Sequence, residues 1–141
     1  MADLIHIVYV SFAFKDYSEK ELEELLSGIR KKNALQGVTG LLLYNDQNFI
    51  QVIEGQRETI QNLFQIIEKD ARHNNVVKLI EESIEQRAFP NWTMGFRRIG
   101  KKQSSRIRGF SNFLNTENPE KIIKRSTPQV MYLLDSFRKY T

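Results

Sequence analysis

"GVTGLLLYNDQNFIQVIEG", residues 37–55, reads as two apolar runs, about 38–44 and 48–54, on either side of the turn-rich "NDQN". The segment is a β-hairpin by that pattern. Its second run is apolar on both faces, Phe49 and Ile53 on one and Ile50 and Val52 on the other, so cover is needed on both sides of the sheet. One side chain does not conform. Gln51 lies on the face of Phe49 and Ile53, and a buried amide left unpaired costs roughly 2–7 kcal/mol on transfer scales. A neighbouring strand must supply its partner.

Upstream, "LIHIVYV" (4–10) is a β-branched apolar run without helical period and reads as a strand buried on both faces, with Ile5, Ile7 and Tyr9 on one of them. Ser18 followed by Glu21 is a capping-box signature, and Leu22, Leu25, Leu26 and Ile29 recur at helical spacing, predicting a helix over about 18–33. Downstream of the hairpin, Ile60, Leu63, Phe64 and Ile67 stripe a helix over about 57–70. "VVKLIEESIE" (76–85) and "WTMGFRRI" (92–99) read as two more strands, separated by "QRAFPN", where Pro90 forbids a continuous central strand. On that last strand Trp92, Met94 and Phe96 are expected to share a face.

The order βαββαββ is α+β, a ferredoxin-like split βαβ sheet with one extra strand and both helices on one face. "SSRIRGFSNFL" reads as a short helix, and Thr127 with Pro128 opens a firmer one. These C-terminal helices are the available cover for the other face. The expected division is a core domain over 1–99 and a helical extension over 100–141 that packs on the sheet.

The chain has 141 residues, enough for one domain with a real core. No apolar run approaches the roughly 20 residues of a membrane span, and "MADLIHIVYV" is not a secretory signal, so a cytoplasmic location is expected. There is no cysteine, which excludes disulfides, thiolate metal sites and cysteine nucleophiles or adducts. The net charge of +4 is unevenly placed: residues 1–96 hold 10 Lys/Arg against 14 Asp/Glu, and residues 97–141 hold 11 against 3. The basic segment suits nucleic acid or an acidic partner, but solvated helix faces give the same statistic and are the commoner source.

Split βαβ topology makes the first and third strands neighbours at the sheet centre, so Tyr9 and Gln51 can meet. Asn33 and "DARH" (70–73) fall where the two helices end. Helices and sheet then frame a slot with an amide, a carboxylate, a guanidinium and an imidazole at one end, the composition of many cofactor pockets. The residues also admit a plainer reading. Tyr9 could be a core tyrosine that satisfies Gln51, Asn33 a helix C-terminal residue, the 70–73 cluster a solvated helix end, and Trp92 and Met94 core.

In this order and at these spacings, "IVYVS", "RKKNALQGVTGLLLY", "NFIQVIEG", "IIEKDARH" and "FPNWTMGF" resemble the BLUF family, blue-light sensors that bind FAD. The resemblance covers about residues 4–99, and the tail looks like that of short, single-domain members with no effector domain. It implies a photosensory protein and not an enzyme, with FAD as cofactor, no metal and no catalytic residue. A downstream signalling protein and a homo-oligomer are the implied partners; membrane and nucleic acid are not.

The resemblance also implies roles. Asn33 would bond the C4-carbonyl and N3 edge of the isoalloxazine; Asp70, Arg72 and His73 would hold the opposite carbonyl and the start of the ribityl chain. Leu25 and Ile67 would sandwich the ring. Tyr9 and Gln51 would be the photoactive pair, with Ser11, Trp92 and Met94 around them. Lys32, often asparagine in relatives, stays outside this set. The residue types suit the chemistry: a phenol can give an electron and then a proton, and an amide shows an acceptor at one end and donors at the other, so its rotation or tautomerisation reverses what it presents.

Other functions on the same topology fit less well. An RNA-recognition module wants several exposed aromatics on the third strand, where "NFIQVIEG" has one and an acidic end. An acylphosphatase-like hydrolase wants an anion-cradling loop after the first strand, and "SFAFKDYS" has neither glycine nor arginine. A flavin reductase needs a substrate pocket where the resemblance puts Tyr9 and Gln51.

Overall fold

Ser18 opens the first helix as a reciprocal cap: its hydroxyl accepts from the Glu21 amide at 3.2 Å, while the Glu21 carboxylate accepts from the Ser18 amide at 3.1 Å. The helix, α1 (Glu19–Gln36), ends at Gly37, whose left-handed backbone (φ 70°) lets its N–H reach the Asn33 carbonyl. The computed structural model describes residues 3–13, 17–45, 48–70, 73–98 and 127–136. Its other elements are β1 (Leu4–Ala13), β2 (Thr39–Asn45), β3 (Asn48–Gln56), α2 (Arg57–Lys69), β4 (His73–Ser83), β5 (Gly95–Arg98) and α3 (Thr127–Ser136).

The strands form one sheet in the order β4-β1-β3-β2-β5, antiparallel except for the β2–β5 pair. This is the expected α+β ferredoxin-like arrangement with its added strand. α2 follows β3 without a loop and is tied to the chain start, where the Arg57 guanidinium meets the Asp3 carboxylate at 2.6 Å and the Arg57 amide meets the Asp3 carbonyl at 2.9 Å.

Strand alternation sorts the interior into two cores. Ile5, Ile7, Tyr9, Leu42, Phe49 and Ile53 face α1 and α2 and pack with Leu22, Leu26, Ile60 and Phe64. Val8, Val10, Leu41, Ile50 and Val52 face the other way and pack with Val130 and Leu134 of α3. The C-terminal cover of the second face is therefore present. Burial of Val130 and Leu134 favours that docking by about 1.5–3 kcal/mol each. The expected short helix at "SSRIRGFSNFL" and the boundary at 99/100 lie outside the described residues.

The last strand is shorter than its sequence pattern. β5 starts at Gly95, not Trp92, because three successive carbonyls before it are held by other groups: Trp92 by the Gly40 amide at 3.0 Å, Thr93 by Asn33 Nδ2 at 2.5 Å, and Met94 by Arg30 Nε at 2.8 Å. Trp92 and Met94 consequently do not share a strand face. Trp92 stacks on Phe89 in the second core, its ring lying where any side chain at Gly95 would sit, whereas Met94 is buried in the first.

Candidate functional site

β1 and β3 pair with Tyr9 directly opposite Gln51. Both side chains are buried, and the Tyr9 hydroxyl donates to Gln51 Oε1. Gln51 Nε2 in turn donates to Met94 Sδ at 3.3 Å. The amide is thus held at both ends, by a phenol and by a thioether, and the buried glutamine has its partner.

Above this pair lies a cavity of about 220 Å³ between α1 and α2. Tyr9, Leu42, Phe49, Gln51 and Ile53 form its floor and are buried. Leu25 and Ile29 of α1 face Leu63 and Ile67 of α2 as half-buried walls; Asn33 and Asp70 lie among the lining residues. At the mouth are exposed Glu24, Gly28, Lys32 and Gln36 of α1 and Ile66 of α2, which is 64% exposed.

The lining suits a flat aromatic ring with one polar edge. Asn33 is 3% exposed, its Nδ2 is engaged by the Thr93 carbonyl, and its Oδ1 has no partner among the described residues. Gln51 likewise has a second amide N–H without one. A buried acceptor and a buried donor at a cavity wall each cost about 1–3 kcal/mol unless something in the cavity pairs with them. An isoalloxazine offers an N–H donor and carbonyl acceptors on one edge and apolar faces for Leu25 and Ile67, so FAD fits the donor set.

The sequence-expected residues divide by position. Tyr9, Gln51, Asn33, Leu25, Ile67 and Asp70 line the one cavity. Met94 touches it through Gln51, and Ser11 is buried on the same face of β1, opposite Phe49. Trp92 is not brought to the pair, since it lies in the core beyond the sheet. His73 opens β4 opposite Ala13, and Arg72 lies outside the described residues.

Two features are not evident from the sequence reading. Lys32, set aside there, lines the mouth, and i, i+4 spacing from Glu24 through Gly28 to Lys32 and Gln36 was the available sign. The second is a buried carboxylate, Glu54, whose oxygens take Thr39 Oγ1 at 2.8 Å and the amides of Ala88 and Phe89 at 2.9 and 2.8 Å. Arg87 adds bonds to Thr39 Oγ1, the Glu54 carbonyl and the Gly37 carbonyl. Together they fasten the segment that leads to Trp92 and Met94.

The model of the BLUF family, "Sensors of blue-light using FAD", matches residues 4–95. Among curated relatives, the blue light- and temperature-regulated antirepressor BluF of Escherichia coli K12 is 34% identical over 86 residues, which are 61% of this chain and 21% of that protein. The photoactivated adenylate cyclase subunit beta of Euglena longa is 34% identical over 92 residues, 64% of this chain and 11% of that one. The chain therefore spans a small part of the curated relatives it matches. Among solved structures, the dark state of BlrB, a BLUF protein, superposes with a TM-score of 0.66 at 27% identity, covering 94% of this chain and 98% of that one. The photo-activated state of BlsA gives 0.68 at 26%, covering 93% and 94%. No helix among the described residues is long and apolar enough to cross a membrane. The cavity, its paired tyrosine and glutamine, and the match over residues 4–95 agree: the chain belongs to the BLUF family of blue-light sensors, whose cofactor is FAD.

Proposed function

We propose that this chain senses blue light by switching the hydrogen bonds of Gln51 and passes the change, through the segment 92–94 and α3, to a downstream protein. The observation that carries the reading is the two-ended clamp on Gln51, Tyr9 O–H at its oxygen and Met94 Sδ at its nitrogen. When bound, FAD supplies the absorption of blue light and an excited state that takes up an electron. Tyr9 is the donor: its phenol can release an electron and pass its proton to Gln51 Oε1, to which it already donates, and both return when the ring is restored. The amide then settles in the reversed orientation, with its nitrogen toward Tyr9 and its oxygen toward Met94.

Reversal has a direct consequence for Met94. Its thioether is a weak acceptor and has no hydrogen to offer an amide oxygen, so the contact that holds it is lost. Met94 is followed at once by β5, and its own carbonyl and those of Thr93 and Trp92 are tied to α1 and β2. Displacement there reaches Trp92, hence Phe89 and the core under α3. Asn33, Asp70, Leu25 and Ile67 hold the cofactor, joined by Arg72 and His73, which follow α2 in the chain. The basic residues of 97–141 make an acidic surface the suitable partner. The extension acts as the output of a sensor without catalysis of its own, in a homo-oligomer and in the cytoplasm.

The testing experiment is the absorption spectrum of the purified protein before and after blue light. A yellow protein whose flavin band moves reversibly to the red supports the proposal. A flavin band that does not respond refutes the switch, and a colourless protein that takes up no FAD refutes the function.

A further inference from the structure

Tyr9 has a cross-strand neighbour on each flank: Gln51 on β3 and, on β4, Lys78. The lysine is there because of a bulge. β1 and β4 pair in steady register as far as Val8 and Ile80, then slip by one residue, so that Lys78 and not Leu79 comes to face Tyr9. The Lys78 ammonium lies over the Phe64 ring, 5.7 Å from its centroid, and Phe64 meets the Tyr9 ring edge to face with centroids 5.5 Å apart. Both rings are buried, so apolar matter and not water separates the charge from the phenol. The charge is also held in place. Lys78 Nζ donates to Glu81 Oε1 at 2.9 Å, and Gln61 Nε2 of α2 donates to Glu81 Oε2 at 2.8 Å. These bonds, that of Lys78 first, keep the Glu81 carboxyl below the usual carboxylate range. Lys78 and Glu81 line a recess between α2 and β4 together with exposed Glu68, and neither lines the flavin cavity. A partly exposed pair of this kind adds little to stability, which leaves its fixed position beside Tyr9 to be accounted for.

We infer that Lys78 and Glu81 are opposed charges that set how readily Tyr9 gives up its electron, Lys78 making the loss harder and Glu81 making it easier. The inference rests on the reading of Tyr9 as the donor to the excited flavin. In that step one electron leaves the phenol ring for the flavin and the phenolic proton goes to Gln51 Oε1, both returning afterwards. Until the proton has moved, the ring carries a positive charge. A neighbouring ammonium opposes that charge and a neighbouring carboxylate favours it, and both act farther through apolar side chains than through water. Held together by their own ion pair and by Gln61, the two oppose one another at Tyr9, and removal of either uncovers the other. Every other charge near the ring stays in place when one of the pair is changed, so a comparison of variants isolates their effect.

The rate at which Tyr9 quenches the excited flavin, read from the fluorescence lifetime of the FAD-loaded protein, tests this. Lys78→Gln should quicken quenching about two- to fivefold at low salt. Glu81→Gln should slow it by at least as much, because the glutamate side chain is 25% exposed against 44% for the lysine and is less screened by water. Lys78→Arg should keep the wild-type rate, and Lys78→Gln combined with Glu81→Gln should return to within about 1.5-fold of it. A role in packing alone would move both single variants the same way and would not be rescued by the pairing of the two. Opposite signs with rescue support the inference, and any other pattern overturns it. Loss of flavin from either single variant overturns it as well, since the pair would then be structural. A wild-type lifetime in Tyr9→Phe would instead remove Tyr9 as the donor, an outcome that identifies the failure of the underlying reading by itself.

Discussion

Met94 and Trp92 stand two residues apart in the chain and on opposite sides of the sheet, Met94 in the core under α1 and α2 and Trp92 in the core under α3. The chain passes from one core to the other beside β2 without a covalent step longer than Thr93. Whatever moves Met94 is therefore felt within one residue on the far side. That placement separates a group that touches Gln51 from a group that can only report on it.

Trp92→Phe should accordingly keep its flavin and its light-induced red shift. Loss of the larger ring over Gly95 and of part of the Phe89 stack should lower stability by about 1 kcal/mol. Spectra before and after illumination, with a denaturant melt, check this. A variant that binds flavin but shows no red shift would place Trp92 in the photochemistry itself.

Tyr9→Phe should bind FAD and remain yellow yet show no red shift. The ring volume and its edge contact with Phe64 survive, while the O–H and the easily oxidised phenol are gone. Gln51→Leu should be equally silent because the asymmetric amide is missing, but its flavin fluorescence should stay quenched to the extent that Tyr9 still donates. A reversible shift in Tyr9→Phe sinks the proposed electron and proton transfer.

Asn33→Ala removes both the bond to the Thr93 carbonyl and the unpaired Oδ1 at the cavity wall. FAD affinity should fall about tenfold, the equivalent of one buried hydrogen bond of about 1.4 kcal/mol. Equilibrium dialysis of the refilled protein measures it, and undiminished affinity removes Asn33 from the site.

Glu54→Ala leaves the Ala88 and Phe89 amides and Thr39 Oγ1 without their shared acceptor in a fully buried place. At about 1–3 kcal/mol for each stranded donor the loss should reach about 3 kcal/mol or more. Urea unfolding is the measurement, and a change below about 1 kcal/mol would mean that the 88–94 segment is held by its ring contacts instead.

Acid should destabilise the fold through two carboxylates. The hydrogen bond from Lys78, followed by that from Gln61, holds Glu81 below the usual carboxylate range; Asp3 is lowered chiefly by its hydrogen bond to Arg57. A carboxyl whose folded pKa is depressed contributes stability above its unfolded pKa, near 4, and loses it as pH falls through the folded value. Glu81→Gln should therefore flatten the acid limb of a thermal midpoint measured from pH 7 to 2. An unchanged slope would show that the Lys78 contact carries no linkage.

What could be read from the chain follows how local its causes are. The capping box at Ser18, the apolar alternation of 48–54 and the helical stripes are set by neighbours in sequence, and they hold in the fold. Opposition of Tyr9 and Gln51 required only topology and parity. The last strand is shorter than its apolar period suggests because three hydrogen bonds from Gly40, Asn33 and Arg30 work against that period, and such bonds over 52 to 64 residues leave no local mark. Glu54 was hidden for a similar reason: a carboxylate at the end of an apolar strand looks solvated until the two amides that reach it are seen.

Two separately closed interiors, one on each side of a single layer of strands, also make the protein divisible. Among the described residues the chromophore side is covered chiefly by α1 and α2, and the reverse side by what lies on Val8, Val10, Ile50 and Val52. Among the described residues that includes Val130 and Leu134 of a ten-residue helix, beside Phe89 and Trp92. Another amphipathic helix of similar breadth could take the same berth without disturbing colour. Such interchangeability would give evolution a ready junction at which one photosensory unit is joined to unlike machinery; in two curated relatives the matched stretch is about a tenth and a fifth of the whole.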